Sequence, residues 1–241
     1  AGDITLAPGS VVRFTSSYPR VNGDRSEFNV ILYDQDAPNT VARFLQILTN
    51  EDYADGIAHQ VVRDTLVAGG LYHGVNELPE LIVPSPGPIA NESLRRNAAG
   101  TIAMQKEEAA SESAGKEWFF NVADNADPFD SLDGGYTAFG QVVGTALEDV
   151  LRPIGALSTY GYEAPDGAVT LSGLPLEERD DEGLYFVTLH PFAVLASTEL
   201  TFTRNNWNTW QSVWVSAGRD PDAADEQATL QASGDGVAEA E

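Results

Sequence analysis

Between residues 11 and 33 apolar and polar positions alternate in short blocks, VVRFTSSYPRVNGDRSEFNVILY, with a polar Asn22-Gly23-Asp24 between them. A period near two, broken by such a turn, predicts a hairpin of two strands. The period then changes. In DQDAPNTVARFLQILTNEDYADG the residues Val41, Phe44, Leu45 and Leu48 fall at helical spacing, with Asn39 or Thr40 as the cap after Pro38. Short apolar runs predict further strands at 57–62, 66–69, 101–104, 117–122 and 137–143. ALEDVLRPIG predicts a second helix that begins near residue 146 and is stopped by Pro153. A loop containing one short strand follows, TYGYEAPDGAVTLSGLPLEERDDEG, and LYFVTLHPFAVLA (184–196) reads as a buried final strand.

Strands and helices do not alternate regularly, which argues against a doubly wound parallel sheet. The pattern fits a mainly β domain, a closed antiparallel barrel with two capping helices. Its expected limits are residues 11–196, after an N-terminal extension at 1–10 and before a C-terminal piece at 197–241. That piece holds an apolar strand pair and an acidic, Ala-rich tail whose composition, from 222 onward, is that of a disordered segment.

Composition narrows the chemistry. The chain has 241 residues, 42% of them hydrophobic, enough for a full core. Lys and Arg total 13 against 37 Asp and Glu, a formal charge of −24. Such a field serves solubility and repels nucleic acid and anionic membrane surfaces, which excludes both as partners. The absence of Cys removes disulfides, thiol nucleophiles and thiolate metal sites together. Three scattered His leave few ligands, so neither a metal nor a cofactor is expected. No apolar run approaches the ~20 residues of a membrane span. The opening AGDITLAPGS, with neither Met nor an apolar targeting segment, reads as a trimmed start or one left by removal of a signal peptide.

Several blocks occur in a recognisable order: FNVILYDQDAPNTVARFL, HQVVRDTLVAGG, IANESLRRNAAGTIAM, SAGKEWFFNVADN and LDGGYTAFGQVVG. On these blocks the chain, from about residue 11 to 195, resembles the cyclophilins, a family of peptidyl-prolyl cis-trans isomerases. The resemblance implies an eight-stranded closed antiparallel barrel capped by two helices, with a groove for proline-containing peptides on its outer wall. Prolyl isomerisation is a bond rotation against a barrier of roughly 18–20 kcal/mol and needs no nucleophile. In the family an apolar pocket holds the proline ring, and an arginine donates to the proline nitrogen as the amide twists.

By the same resemblance the family's Phe-His-Arg is Ala58-His59-Gln60, so an amide stands where the catalytic arginine would be. The family's Phe-Met-x-Gln-Gly-Gly reads Thr65-Leu66-Val67-Ala68-Gly69-Gly70. Glu117 replaces a groove glutamine, Phe119 fits the proline-pocket phenylalanine and Leu132 its leucine, and Tyr136 replaces a histidine. Met104, Gln105 and Lys106 take the rim. Arg63, an odd offset from Gln60 along a strand, points to the opposite face and cannot stand in for the missing cation. Gly69-Gly70 and Gly134-Gly135 read as turn formers. Asp124, Asp127, Asp130 and Asp133 lack the ligand order and closing Glu of a calcium loop and read as solvated acids.

ELTFTRNNWNTWQSVWV (199–215) resembles part of the Ig-like repeats of bacterial secreted and surface proteins, which argues for an extracytoplasmic setting. A whole sandwich takes about 100 residues, so Leu200, Phe202, Trp207, Trp210, Val213, Trp214 and Val215 must find cover elsewhere. They dock on their own barrel or add as strands to a neighbour. Two functions follow. One is an isomerase or proline-peptide binder, weak or inactive because of Gln60. The alternative is an extracellular structural protein whose subunits join through terminal strands into an oligomer or filament.

Overall fold

A computed structural model of the chain describes residues 4–5, 10–21, 24–75, 78–81, 87–106, 114–164, 167, 169–179, 183–195 and 201–202. In chain order its first half holds β1 (Ile4–Thr5), β2 (Val11–Val21), β3 (Asp24–Leu32), α1 (Pro38–Thr49), β4 (Gln60–Val62), β5 (Leu66–Gly69), β6 (Tyr72–Val75), β7 (Leu78–Leu81) and β8 (Thr101–Lys106). The second half holds β9 (Ala114–Asn121), α2 (Ala126–Phe129), β10 (Thr137–Val142), α3 (Arg152–Gly155), β11 (Thr159–Glu163), β12 (Thr170–Arg179), β13 (Gly183–Phe186), β14 (Leu189–Leu195) and β15 (Thr201–Phe202).

Eight strands form one curled antiparallel sheet in the order β14-β2-β3-β10-β8-β9-β5-β4. Alternation along each strand turns Val12, Phe14, Phe28, Val30, Ile102, Trp118, Phe120 and Phe139 to a common interior. Phe14 stacks on Phe28 at 5.4 Å and meets the edges of Trp118 and Phe120 at 5.3 and 5.2 Å. Helix α1 adds Val41, Phe44, Ile47 and Leu48 to this core, and the segment after β10 adds Val150, Leu151 and Ile154.

Helix α1 starts where the spacing placed it, but its cap comes from elsewhere. Ala37 is the N-cap residue and makes no side-chain cap bond. The Glu92 carboxylate does that work: Oε1 accepts from the Asn39 backbone N–H at 3.1 Å, and Oε2 from that of Thr40 at 2.8 Å. The Asn39 and Thr40 side chains, the expected caps, instead donate to the same carboxylate at 2.8 and 2.9 Å. A negative charge there also complements the helix dipole. Pro153 does not stop the second helix. The preceding turn, Leu147–Leu151, is widened to a π-helical turn, so the Arg152 N–H reaches the Leu147 carbonyl. Pro153 then opens the short α3, where its missing N–H costs nothing.

The sheet is open, where a closed barrel was expected. Its edge strands β4 and β14 do not pair; the segments before them are stitched by one bridge, Ile57 to Thr188, with Ala58 N–H to Val187 O and Leu189 N–H to Gly56 O, both 2.9 Å. The reason is the stretch read as a loop with one strand. It folds as a three-stranded sheet, β11-β12-β13, and β12 lies against β4. The single buried strand expected at 184–196 accordingly splits: β13 joins this added sheet, and β14 pairs with β2. A second small core of Ile57, Tyr72, Val169, Leu171 and Leu174 holds the added sheet down. The hairpin β6–β7 was not legible as strands.

Of the terminal segments, β1 and β15 are described and pair with each other, Ile4 with Phe202 and Thr5 with Thr201. Trp207 to Val215, on which the strand-docking reading rested, and the tail at 222–241 lie outside the described residues.

Replacing Glu92 by Ala is expected to lower stability by about 2 kcal/mol, read as a lower urea midpoint, with Glu92→Gln losing less. A pH dependence follows from His190. Burial lowers its pKa below the ordinary 6.5, and Nε2 has no partner among the described residues. The unfolded chain therefore binds a proton that the folded chain refuses. Stability is expected to be full above roughly pH 7 and to fall as pH drops through 6.5. Unfolding free energies between about pH 8 and pH 5 should show a shallower slope in His190→Gln.

Candidate functional site

Strand β9 decides the site. Trp118 and Phe120 face the core, so Glu117 and Phe119 face outward. On β5 the same alternation sends Val67 inward and leaves Leu66 and Ala68 on the outer wall. Register completes the arrangement: Gln60 lies opposite Ala68, Ala68 opposite Phe119, and Phe119 opposite Ala103. Gln60, Ala68, Phe119 and Ala103 thus form one transverse row across β4, β5, β9 and β8.

One half of the row is apolar. Phe119 meets Phe129 at 5.6 Å and Tyr136 at 5.5 Å, and these two meet each other at 5.4 Å, all edge to face. Leu66, Ala68, Ala103 and Ala138 complete the cluster. Lys106 Nζ sits 4.9 Å from the centre of the Tyr136 ring, a cation–π contact, and 3.5 Å from the Leu132 carbonyl. Phe119 is only 1% exposed, so its neighbours cover the ring that the resemblance makes the pocket floor.

The other half is polar, a cleft of about 180 Å³ between His59, Gln60, Tyr72 and Glu117 on one side and Thr170 to Gly173 of β12 on the other. His59 Nε2 and Glu117 Oε1 are 2.8 Å apart. A carboxylate only accepts, so Nε2–H donates. The His59 ring is 4% exposed, its Nδ1 has no partner among the described residues, and it meets Tyr72 edge-on at 5.2 Å. Burial, with the Glu117 charge beside it, raises the Tyr72 phenol above its ordinary pKa. Gly173 lets β12 come this close: a Cβ there would stand 3.2 Å from the Val61 carbonyl and 3.3 Å from Gln60 Cγ.

Not every expected residue joins these two halves. Met104 is fully buried in the interior core, because alternation gives the outer wall to its neighbour Ala103. Leu132, 45% exposed, lies on a 3-10 turn outside the aromatic cluster, although its carbonyl faces Lys106. Thr65 belongs to the turn after β4: its carbonyl accepts from Val122 N–H at 3.0 Å and Asn125 Nδ2 at 2.8 Å. Gln105 sits in the irregularity between Met104 and Lys106 on β8. Arg63 is exposed beyond the end of β4.

The structure also brings in residues that sequence reasoning missed: Phe129, Tyr72 and the 170–173 stretch of β12. Ala103 was within reach, since it alternates with Ile102 and Met104. Gly69 is not a turn residue but lies under Trp118, while Gly134 and Gly135 do turn, with φ of 84° and 82°. Asp130 is not simply solvated; its Oδ1 accepts from Asn97 N–H and Nδ2 at 2.8 and 3.0 Å. Among the described residues no group of three or more His, Cys, Asp or Glu is placed to hold a metal ion.

Comparison with known proteins gives the family of the chain. Residues 19–174 match the family of cyclophilin type peptidyl-prolyl cis-trans isomerases. The chain is 33% identical over 153 residues to peptidyl-prolyl cis-trans isomerase A of Dickeya dadantii, covering 62% of this chain and 78% of that one. It is 32% identical over 134 residues to a peptidyl-prolyl cis-trans isomerase of Acinetobacter baylyi, covering 54% and 68%. A solved cyclophilin type isomerase of Cryptosporidium parvum overlays with a TM-score of 0.48 at 15% identity, covering 77% of this chain and 98% of that one. The chain belongs to the cyclophilin-type peptidyl-prolyl cis-trans isomerase family.

Trimming Phe129 to Ala would uncover one side of Phe119. The expected cost is about 2 kcal/mol of stability, less than for a fully buried Phe because Phe129 is only partly buried, and urea unfolding measures it.

Proposed function

We propose that this chain binds X-Pro segments and isomerises them slowly. The observation that carries this reading is the row itself: Gln60, at the position the resemblance gives to the family's arginine, lies in register with Ala68 and Phe119. A peptide lying across the row would place its prolyl nitrogen near the Gln60 amide. That amide donates a neutral hydrogen bond, and a guanidinium would donate one about twice as strong to the twisted nitrogen. A shortfall on the order of 1.5–3 kcal/mol slows the rotation roughly 10- to 100-fold. The cover over Phe119 works in the same direction, since a proline ring must displace Phe129 or Tyr136 to touch it. The surface-repeat resemblance of residues 199–215 supports placing this activity outside the cytoplasm.

The test is a prolyl-isomerisation assay on an X-Pro peptide, comparing the chain with its Gln60→Arg variant. A slow but measurable rate is expected, rising roughly 10- to 100-fold with arginine. An unchanged rate would detach Gln60 from the reaction. If neither form binds or turns over the peptide, the wall is a scaffold.

A further inference from the structure

We infer that the segment bound here carries a lysine or arginine within about two residues of its proline, and that Glu117 receives that cation. The inference rests on the isomerase reading and adds the charge of the client. Glu117 and Phe119 share the outer face of β9 two positions apart, about 6.5–7 Å. An extended ligand advances ~3.3 Å per residue. A side chain one or two residues from a proline seated at Phe119 therefore reaches Glu117.

The carboxylate is held ready. Its Oε1 is fixed by His59, whose own burial leaves the ring little freedom. The other oxygen makes no hydrogen bond among the described residues, and the side chain is 18% exposed at the cleft. Among the described residues no Lys or Arg lines the cleft to neutralise it, because Gln60 occupies the place where the family resemblance puts a cation. On the facing wall the exposed Thr170 and Ser172 offer hydroxyl oxygens to the remaining protons of an ammonium or guanidinium. An acidic client would meet the negative charge of Glu117 in a partly desolvated cleft, which is repulsive. The formal charge of −24 acts at longer range in the same sense.

The experiment uses the full chain and three hexapeptides, Ala-Lys-Ala-Pro-Phe-Ala and its counterparts with Glu or Ala in place of Lys, with binding and exchange followed by NMR. The Lys peptide is expected to bind about fivefold tighter than the Glu peptide at low salt, and the gap should close toward 0.5 M salt, where the Debye length is only about 4–5 Å. In Glu117→Gln the preference should disappear; the amide oxygen still accepts from His59, so the fold is kept. Equal binding of all three peptides overturns the inference while leaving the isomerase reading in place. A preference undiminished in Glu117→Gln assigns it to the whole-molecule charge and overturns the role of Glu117. Failure of every peptide to bind or exchange overturns the isomerase reading and this inference with it.

Discussion

The rest of the structure depends on the seat of Trp118 on bare backbone. A Cβ on Gly69 would stand 2.5 Å from the indole ring, and one on Gly70 would stand 2.5 Å from the indole nitrogen. Only glycine allows the ring in. That contact sets Gly69 opposite Trp118 and therefore Ala68 opposite Phe119 and Val67 opposite Phe120. A slip of one residue would send Trp118 and Phe120 outward and bury Glu117. On its inner side the same ring meets the edge of Phe14 and packs near Tyr53, whose buried hydroxyl donates to the Lys116 carbonyl at 2.7 Å. Desolvation raises the Tyr53 phenol well above its ordinary pKa, so it stays a neutral donor.

A buried polar network then positions the site's borders. Asn97 and Asn121 are fully buried. Asn121 Nδ2 donates to Thr101 Oγ1 at 2.8 Å and to Asn97 Oδ1 at 3.2 Å, and Asn125 Nδ2 donates to Asn121 Oδ1 at 2.8 Å. The network reaches the Thr65 carbonyl through Asn125 and the Tyr136 carbonyl through Asn97. Thr65, in the turn before β5, and Tyr136, just before β10, flank the Phe119 wall, so one set of amides holds both. Satisfied buried amides of this kind are rigid, because each lost bond would leave a polar group without water.

Core and outer wall tolerate change to different degrees for a physical reason. Exchanging Trp118 or Phe14 would open a cavity or force an overlap in a close-packed interior. Gln60 and Glu117 stand on an outer wall, where a change of charge costs little folding energy and alters mainly what the wall can bind. Gln60 brings no charge to the cleft it lines, and Glu117 brings a negative one to the same cleft. The β11-β12-β13 sheet also shapes this wall, making the region beside Gln60 one side of a cleft.

Much of the fold was legible in periodicity. Hairpin β2–β3, helix α1 and strands β5, β8, β9 and β10 follow from alternation or helical spacing, because a repeat of apolar positions along a chain decides which face each residue presents. The same rule separates Phe119 from Trp118, and the resemblance supplied Gln60, Ala68 and Glu117. Tertiary structure alone decided that Glu92 caps α1 from more than fifty residues away, that Phe129 covers Phe119, that Met104 turns inward while Ala103 meets the groove, and that β12 closes on Gln60. None of these is a property of one segment. Each depends on register between strands or on how closely two backbones approach, and a local pattern carries neither.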